Sequence, residues 1–131
     1  MLLFHLLNQG LCKNMLRRFL RSKLRDISIT AADLNYEGSI TLDKNYIEKA
    51  GLWPGEEVQV LNQENGARFY TYVIEGPRNS GCVELNGPAA RLGMVGDRIM
   101  VLAYALLSEE EIAGHESIIV SMKQTPSSAN A

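Results

Sequence analysis

Pro54-Gly55-Glu56-Glu57-Val58-Gln59-Val60-Leu61 has a counterpart further along the chain, Val95-Gly96-Asp97-Arg98-Ile99-Met100-Val101-Leu102. Both read Gly-acid-charged-aliphatic-x-Val-Leu. The Gly and acid make a turn, and the aliphatics feed a buried strand. A repeat of this kind implies two related halves. Short strands, a strong turn at nearly every junction and only short helical stretches make the chain mainly β. The repeat points to a small closed β-barrel, because closure leaves no open sheet edges.

The surrounding segments fit that plan. Lys23 to Thr30 reads as a strand, and Thr30-Ala31-Ala32-Asp33 as a single capped helical turn. Ser39 to Leu42 is a short strand. Asp43 is an N-cap for a helix from Lys44 to Ala50, which Gly51 ends. Glu57 to Leu61 and Arg68 to Ile74 are strands joined through Asn65-Gly66, read as a type I′ hairpin. Cys82 to Leu85 and Arg98 to Leu106 are further strands, with a helical turn at Ala89 to Leu92 between them. Ser108-x-x-Glu111 is a capping box, and Glu116 to Met122 a last strand.

The chain has 131 residues, 46% of them hydrophobic and 21% charged, with net charge −2. That suits one globular domain and gives no general attraction to nucleic acid or membrane. The charge is uneven. Residues 1–30 carry Lys13, Arg17, Arg18, Arg21, Lys23 and Arg25 against Asp26 alone, a local +5 that leaves −7 on the remainder. This reads as a solvated or subunit-contacting segment. Residues 1–14 are expected to be a dispensable extension, with an apolar run too short to span a bilayer. Residues 124–131 read as a disordered tail. Cys12 and Cys82 are read as reduced thiols of a cytoplasmic protein. His5 is taken to lie outside the fold, and His115 on the surface near a helix end. No metal-ligand cluster, phosphate loop or Ser-His-Asp set is legible.

In a chain so short of catalytic groups, Tyr36-Glu37-Gly38-Ser39 stands out. Gly38 has no Cβ, so its peptide can take conformations that other residues resist. The Ser39 hydroxyl lies beside the Gly38 carbonyl. Attack there shifts the acyl group from nitrogen to oxygen, β-elimination gives dehydroalanine, and hydrolysis leaves a pyruvoyl group at a new N-terminus. Such a ketone takes up an amine as a Schiff base and withdraws electrons from its α-carbon, the work a bound pyridoxal does elsewhere.

Four ordered blocks extend this reading, with Lys23 ahead of them: Asp33-Leu34-Asn35-Tyr36-Glu37-Gly38-Ser39-Ile40, Asn65-Gly66-x-Arg68-Phe69-x-Thr71-Tyr72, Asn86-Gly87-Pro88-Ala89-Ala90 and Val95-Gly96-Asp97. Together they resemble the pyruvoyl-dependent aspartate 1-decarboxylases, from about Met15 to Ser121. The resemblance implies a six-stranded double-psi β-barrel with short helices, spanning 15–123 and assembled as a homotetramer. It implies a precursor cut between Gly38 and Ser39 into chains 1–38 and 39–131, with or without a separate maturation factor. The implied reaction takes L-aspartate to β-alanine and carbon dioxide, for pantothenate and coenzyme A synthesis.

Roles follow by position in that resemblance. Ser39 becomes the pyruvoyl group. Tyr72 is the proton donor to the carbanion, since a phenol keeps its proton until a strong base appears. Thr71 bonds the Gly38 carbonyl during self-cleavage and later meets substrate. Lys23 and Arg68 hold the substrate carboxylates. The loop Asn86, Gly87, Pro88 and Ala89 binds substrate through backbone amides and the Asn side chain, and Tyr36 lies near the scissile bond. Thr71 and Tyr72 are neighbours, so on a regular strand they face opposite ways; a site between subunits is the expected resolution. Arg25 stands where such proteins often carry His. Two other readings remain open from sequence: a non-catalytic β-barrel binding module using the basic arm, and a decarboxylase of another amino acid.

Overall fold

The computed structural model describes residues 15–123. Eight strands form one sheet: β1 (Leu16–Ser28), β2 (Ala31–Asp33), β3 (Ser39–Asp43), β4 (Glu57–Asn62), β5 (Arg68–Gly76), β6 (Val83–Asn86), β7 (Arg98–Ser108) and β8 (Ile118–Ser121). Their lateral order is β2-β6-β3-β5-β4-β7-β1-β8. Helix α1 (Lys44–Ala50) links β3 to β4, a 3₁₀ turn (Gly87–Arg91) follows β6, and α2 (Glu109–Ile112) follows β7. The fold is therefore mainly β with short helices. Eight strands stand where six are expected. β2 continues β1 after Ile29 and Thr30, and β8 adds an edge strand parallel to β1. The extended segment 16–33 thus borders β7 at one end of the sheet and β6 at the other.

The repeat in the sequence is a repeat in space. Gly55 and Gly96 both adopt positive φ, +87° and +96°, where a side chain would strain the turn. In each turn the acid bonds back to the residue three before it. Trp53 N–H donates to Glu56 Oε1 and Met94 N–H to Asp97 Oδ2, both at 3.0 Å. Glu56 N–H returns to Trp53 O and Asp97 N–H to Met94 O. Each turn then brackets one residue of another strand segment, Val73 in the first case and Ile29 in the second. The strands that follow, β4 and β7, pair antiparallel with Val60 opposite Val101. Val58, Val60, Ile99 and Val101 are all buried, so the two copies meet at the centre of the core with Leu24, Ile40, Leu42 and Leu85.

Several local expectations fail for physical reasons. β1 begins at Leu16 rather than Lys23, because β7 is long enough to pair with it back to Ser108. Arg17, Arg18, Arg21, Lys23 and Arg25 therefore lie along a strand, with the Arg18 guanidinium stacked 5.2 Å from the Tyr104 ring centre. Ala31–Asp33 is a strand, not a helical turn, since β6 offers a parallel partner. The Asn65-Gly66 loop is not type I′. Gly66 has φ +75° but Asn65 does not adopt positive φ. The loop closes more widely, with Asn62 N–H on Ala67 O, and Asn65 uses its side chain to bond Ala67 N–H and Leu92 O. His115 is half-buried: its ring nitrogen bonds Leu20 O at 2.8 Å and its ring meets Phe19 edge-on. Residues 1–14, Cys12, His5 and the tail 124–131 lie outside the described residues. Of the cysteines, Cys82 is buried and unpaired among the described residues. Among them, too, no helix is long and apolar enough to cross a membrane, and no cluster of potential metal ligands occurs.

Asp43 caps α1 as expected, accepting from Asn45 N–H at 2.7 Å. It also accepts from Gly81 N–H at 2.7 Å and Asn79 N–H at 3.2 Å, tying the 77–82 loop to the helix. Burial alone would raise its pKa, but these backbone donors outweigh burial and hold it below 3.8. A depressed folded value stabilises above the unfolded pKa and is lost as pH falls through the folded one. Asp43→Asn should therefore cost about 1–3 kcal/mol at pH 7. Thermal melts should show the gap to wild type closing as pH drops below about 4.

Candidate active site

Three segments converge at the start of β3. Ser39 is fully buried and opposes Asn86 in the antiparallel β3–β6 ladder. Asn86 Nδ2 donates to Ser39 Oγ at 2.8 Å and to Thr41 Oγ1 at 2.9 Å. Both amide hydrogens are thereby spent, so Ser39 Oγ accepts from Asn86 and its own hydrogen is directed elsewhere. The chain arrives at Ser39 through Gly38, whose φ of +117° is open to glycine and strained for other residues. Gly38 lies over Pro88, and Tyr36 to Gly38 rest on Gly87. A methyl built on Gly87 would fall 2.5 Å from Tyr36 O and 2.6 Å from Gly38 N.

β5 supplies the other wall. Its parallel ladder with β3 starts at Ile40 opposite Val73. Phe69 to Tyr72 are therefore unpaired on that side, though they remain paired to β4 on the other. Continuing the register back one step sets Tyr72 level with Ser39. Side chains alternate along strands, so Ser39, Thr41 and Tyr72 share the face away from core residues Ile40 and Val73. Thr71 points the opposite way, as its position next to Tyr72 requires. Both still line one cavity, of about 320 Å³, because it runs along the free edge of β5. Its walls are Gly38 and Glu37 on one side, Phe69 to Tyr72 on the second, and Pro88, Ala89 and Leu92 on the third. That volume suits a small ligand.

The structure thus brings together Gly38, Ser39, Thr71, Tyr72, Asn86, Gly87, Pro88 and Ala89. It does not bring the two cations to them. Lys23 pairs with Leu102 on β7, which pairs with Gln59 on β4, which pairs with Tyr70 on β5. At strand spacing that leaves Lys23 about 14 Å from β5 across the sheet. Arg68 is exposed and borders a separate cavity of about 220 Å³ with Leu61 and Met100. Arg25 is exposed and bonds Asp26, whose carboxylate also takes Ser121 Oγ. Tyr36 is exposed, two residues before Gly38. Sequence reasoning missed Phe69, Tyr70, Glu37 and Leu92 as cavity walls. Nothing in their residue types marks them; only the free β5 edge and the end of the 3₁₀ turn place them there.

A reactive group made from this backbone fits the site. Ser39 is buried and held by Asn86, the preceding residue is a glycine with φ +117°, and Gly87 leaves room that a Cβ would fill. The sequence profile for aspartate decarboxylase matches residues 15–128. The aspartate 1-decarboxylase of Thermoanaerobacter pseudethanolicus is 49% identical over 106 residues, 81% of this chain and 91% of that protein. That of Maricaulis maris is 50% identical over 101 residues, 77% of this chain and 84% of the other. That of Desulfotalea psychrophila is 46% identical, covering 81% and 89%. A solved structure, the rationally designed mkDPBB_sym_86 protein, is a distant likeness, 23% identical over 63% of this chain and 91% of that one with a TM-score of 0.45. With the profile matched along all of the described residues, the chain belongs to the aspartate decarboxylase family.

Proposed function

We propose that this chain is a self-processing, pyruvoyl-dependent decarboxylase that converts L-aspartate to β-alanine and carbon dioxide. The observation that carries this is the buried Ser39 hydroxyl, held by Asn86 beside a Gly38 peptide in a conformation that suits glycine. In the precursor, Ser39 Oγ attacks the Gly38 carbonyl carbon and gives up its proton. The C–N bond breaks and the nitrogen takes a proton, leaving an ester. Loss of the Ser39 α-hydrogen then expels the Gly38 carboxylate and leaves dehydroalanine. Water replaces its nitrogen, which departs as ammonia, and a ketone remains at position 39. Thr71 stands on the same cavity as Gly38 and would donate to the carbonyl oxygen as charge develops there.

The pyruvoyl ketone supplies an electron sink for the electron pair left when the α-carboxylate departs. The protein's part is to bind, orient and protonate. The amides and side chain of the Asn86–Ala89 loop hold substrate over Ser39. Tyr72, level with Ser39 on the same face, returns a proton to the α-carbon. Lys23 and Arg68 hold the carboxylates. Because one chain keeps them apart from Ser39, the site is completed by a neighbouring copy, within a homotetramer. The exposed face of β5, with Arg68, Tyr70 and Tyr72, supports such an interface. The segment 16–33 at both ends of the sheet supports closure into a six-stranded double-psi barrel across 15–123. We place the enzyme in the cytoplasm, where β-alanine enters pantothenate synthesis.

Intact-mass measurement of purified protein should find two fragments, 1–38 and 39–131, the second without a free amine. Aspartate should yield β-alanine, and glutamate and histidine much less. A chain that stays whole and makes no β-alanine, even in a cell extract able to supply a maturation factor, would refute the reading.

A further inference from the structure

We infer that Gly87 is a positioning residue for self-cleavage, acting on the precursor before any substrate is bound. This rests on the processing reaction proposed above, and it adds a residue to a step assigned so far to Gly38, Ser39, Thr71 and the Asn86 side chain that holds Ser39.

Gly87 opens the 3₁₀ turn after β6 with φ +65°. It is buried, and its α-carbon faces the segment that carries the scissile bond. A Cβ at this position would lie 2.5 Å from Tyr36 O, 2.6 Å from Gly38 N and 2.8 Å from Gly38 Cα. All three are backbone atoms, so no rotamer change can relieve the contact. The neighbours on either side are already fixed. Asn86 is in register with Ser39 and bonds its hydroxyl, while Pro88 Cδ sits 3.5 Å from where a Cβ on Gly38 would be. Residues 86–88 therefore form a bed on which residues 36–39 lie. Asn86 holds the nucleophile and Gly87 sets the height of the peptide it must attack.

Ordinary van der Waals contact needs about 3.4 Å or more between such atoms. A methyl on Gly87 would therefore lift Tyr36 to Gly38 by several tenths of an ångström or more, while Ser39 stays tied to Asn86. Attack by Oγ on the adjacent carbonyl depends on alignment at that scale, and a misplacement near 1 Å costs about a hundredfold.

Gly87→Ala should therefore slow conversion of the whole chain into 1–38 and 39–131 by about a hundredfold or more. Gly66→Ala is the control. Gly66 also has a left-handed φ, +75°, but a Cβ there meets nothing within 4 Å. It carries the backbone strain without the contact, and should be cut at the wild-type rate. Mild neutral hydroxylamine supplies the second readout: it cleaves an ester between residues 38 and 39 far faster than the Asn65-Gly66 and Asn86-Gly87 peptide bonds it also attacks, and those give fragments of other masses. Uncut Gly87→Ala protein should give no cut between residues 38 and 39, because the acyl shift has not occurred.

Gly87→Ala should still melt cooperatively, and loss of the fold would make Gly87 a residue of the fold alone and overturn the positioning role. If the wild-type chain is never cut, the processing reading itself fails. If wild type is cut and Gly87→Ala is cut equally fast, that reading stands and the role of Gly87 is overturned. It is also overturned if Gly66→Ala is blocked as severely, since strain would then suffice. Hydroxylamine cleavage of uncut Gly87→Ala between residues 38 and 39 would move Gly87 to a later step and sink the positioning role.

Discussion

Ser39→Ala should leave the chain whole at 131 residues and reduce β-alanine formation to background. The substitution removes one oxygen and keeps the strand. Without Oγ there is no nucleophile beside the Gly38 carbonyl, so no ester forms, nothing is eliminated and no ketone arises. The loss is complete rather than partial, because the same atom is needed to make the reactive group that every turnover uses. Folding should survive. Asn86 Nδ2 loses one acceptor but keeps Thr41 Oγ1, which limits the cost to about 1–3 kcal/mol. Intact mass, a thermal melt and a β-alanine assay on one preparation check all three parts. Fragments ending at residue 38, or β-alanine above background, would show that Ser39 is not the source of the reactive group.

Much of the fold is legible in the residues themselves. The Gly-acid repeat announced two related halves, and its acids do bond back identically at Glu56 and Asp97. Asp43, Gly51 and the Ser108–Glu111 capping box terminate their helices as the residue types dictate. What failed was set by tertiary partners. Ala31–Asp33 has no local signal strong enough to resist β6, and Leu16–Ser22 becomes strand because β7 runs alongside it. Asn65-Gly66 has the residues of a tight turn, yet the Asn65 side chain gains more by bonding Ala67 and Leu92. Of the residues named from their motif, the structure draws Gly38, Ser39, Thr71, Tyr72 and the Asn86–Ala89 loop together, but not Lys23 or Arg68. The walls were not legible, since Phe69 and Tyr70 matter through where β3 stops pairing with β5.

That free edge also decides what Tyr72 can do. Tyr72→Phe should be cut between Gly38 and Ser39 as fast as wild type, but decarboxylate about 10²–10⁴-fold more slowly. The two steps separate because they make different demands. Cleavage needs a nucleophile and an oxyanion donor, and neither is the Tyr72 phenol. Turnover needs a proton delivered to carbon after carbon dioxide has left, and phenylalanine has none to give. Position supports the assignment. Tyr72 is one register step before Val73, level with Ser39 and on its face, and it is 43% exposed, so its hydroxyl is reachable. The aromatic ring is retained in the variant, so the cavity wall and the KM for aspartate should change little. A fall in kcat at nearly constant KM, with both fragments present in full, is the expected signature. A wild-type kcat would remove Tyr72 from proton transfer. An uncut chain would instead assign its hydroxyl to the making of the ketone, since that is the one earlier step in which a missing proton donor could halt the enzyme.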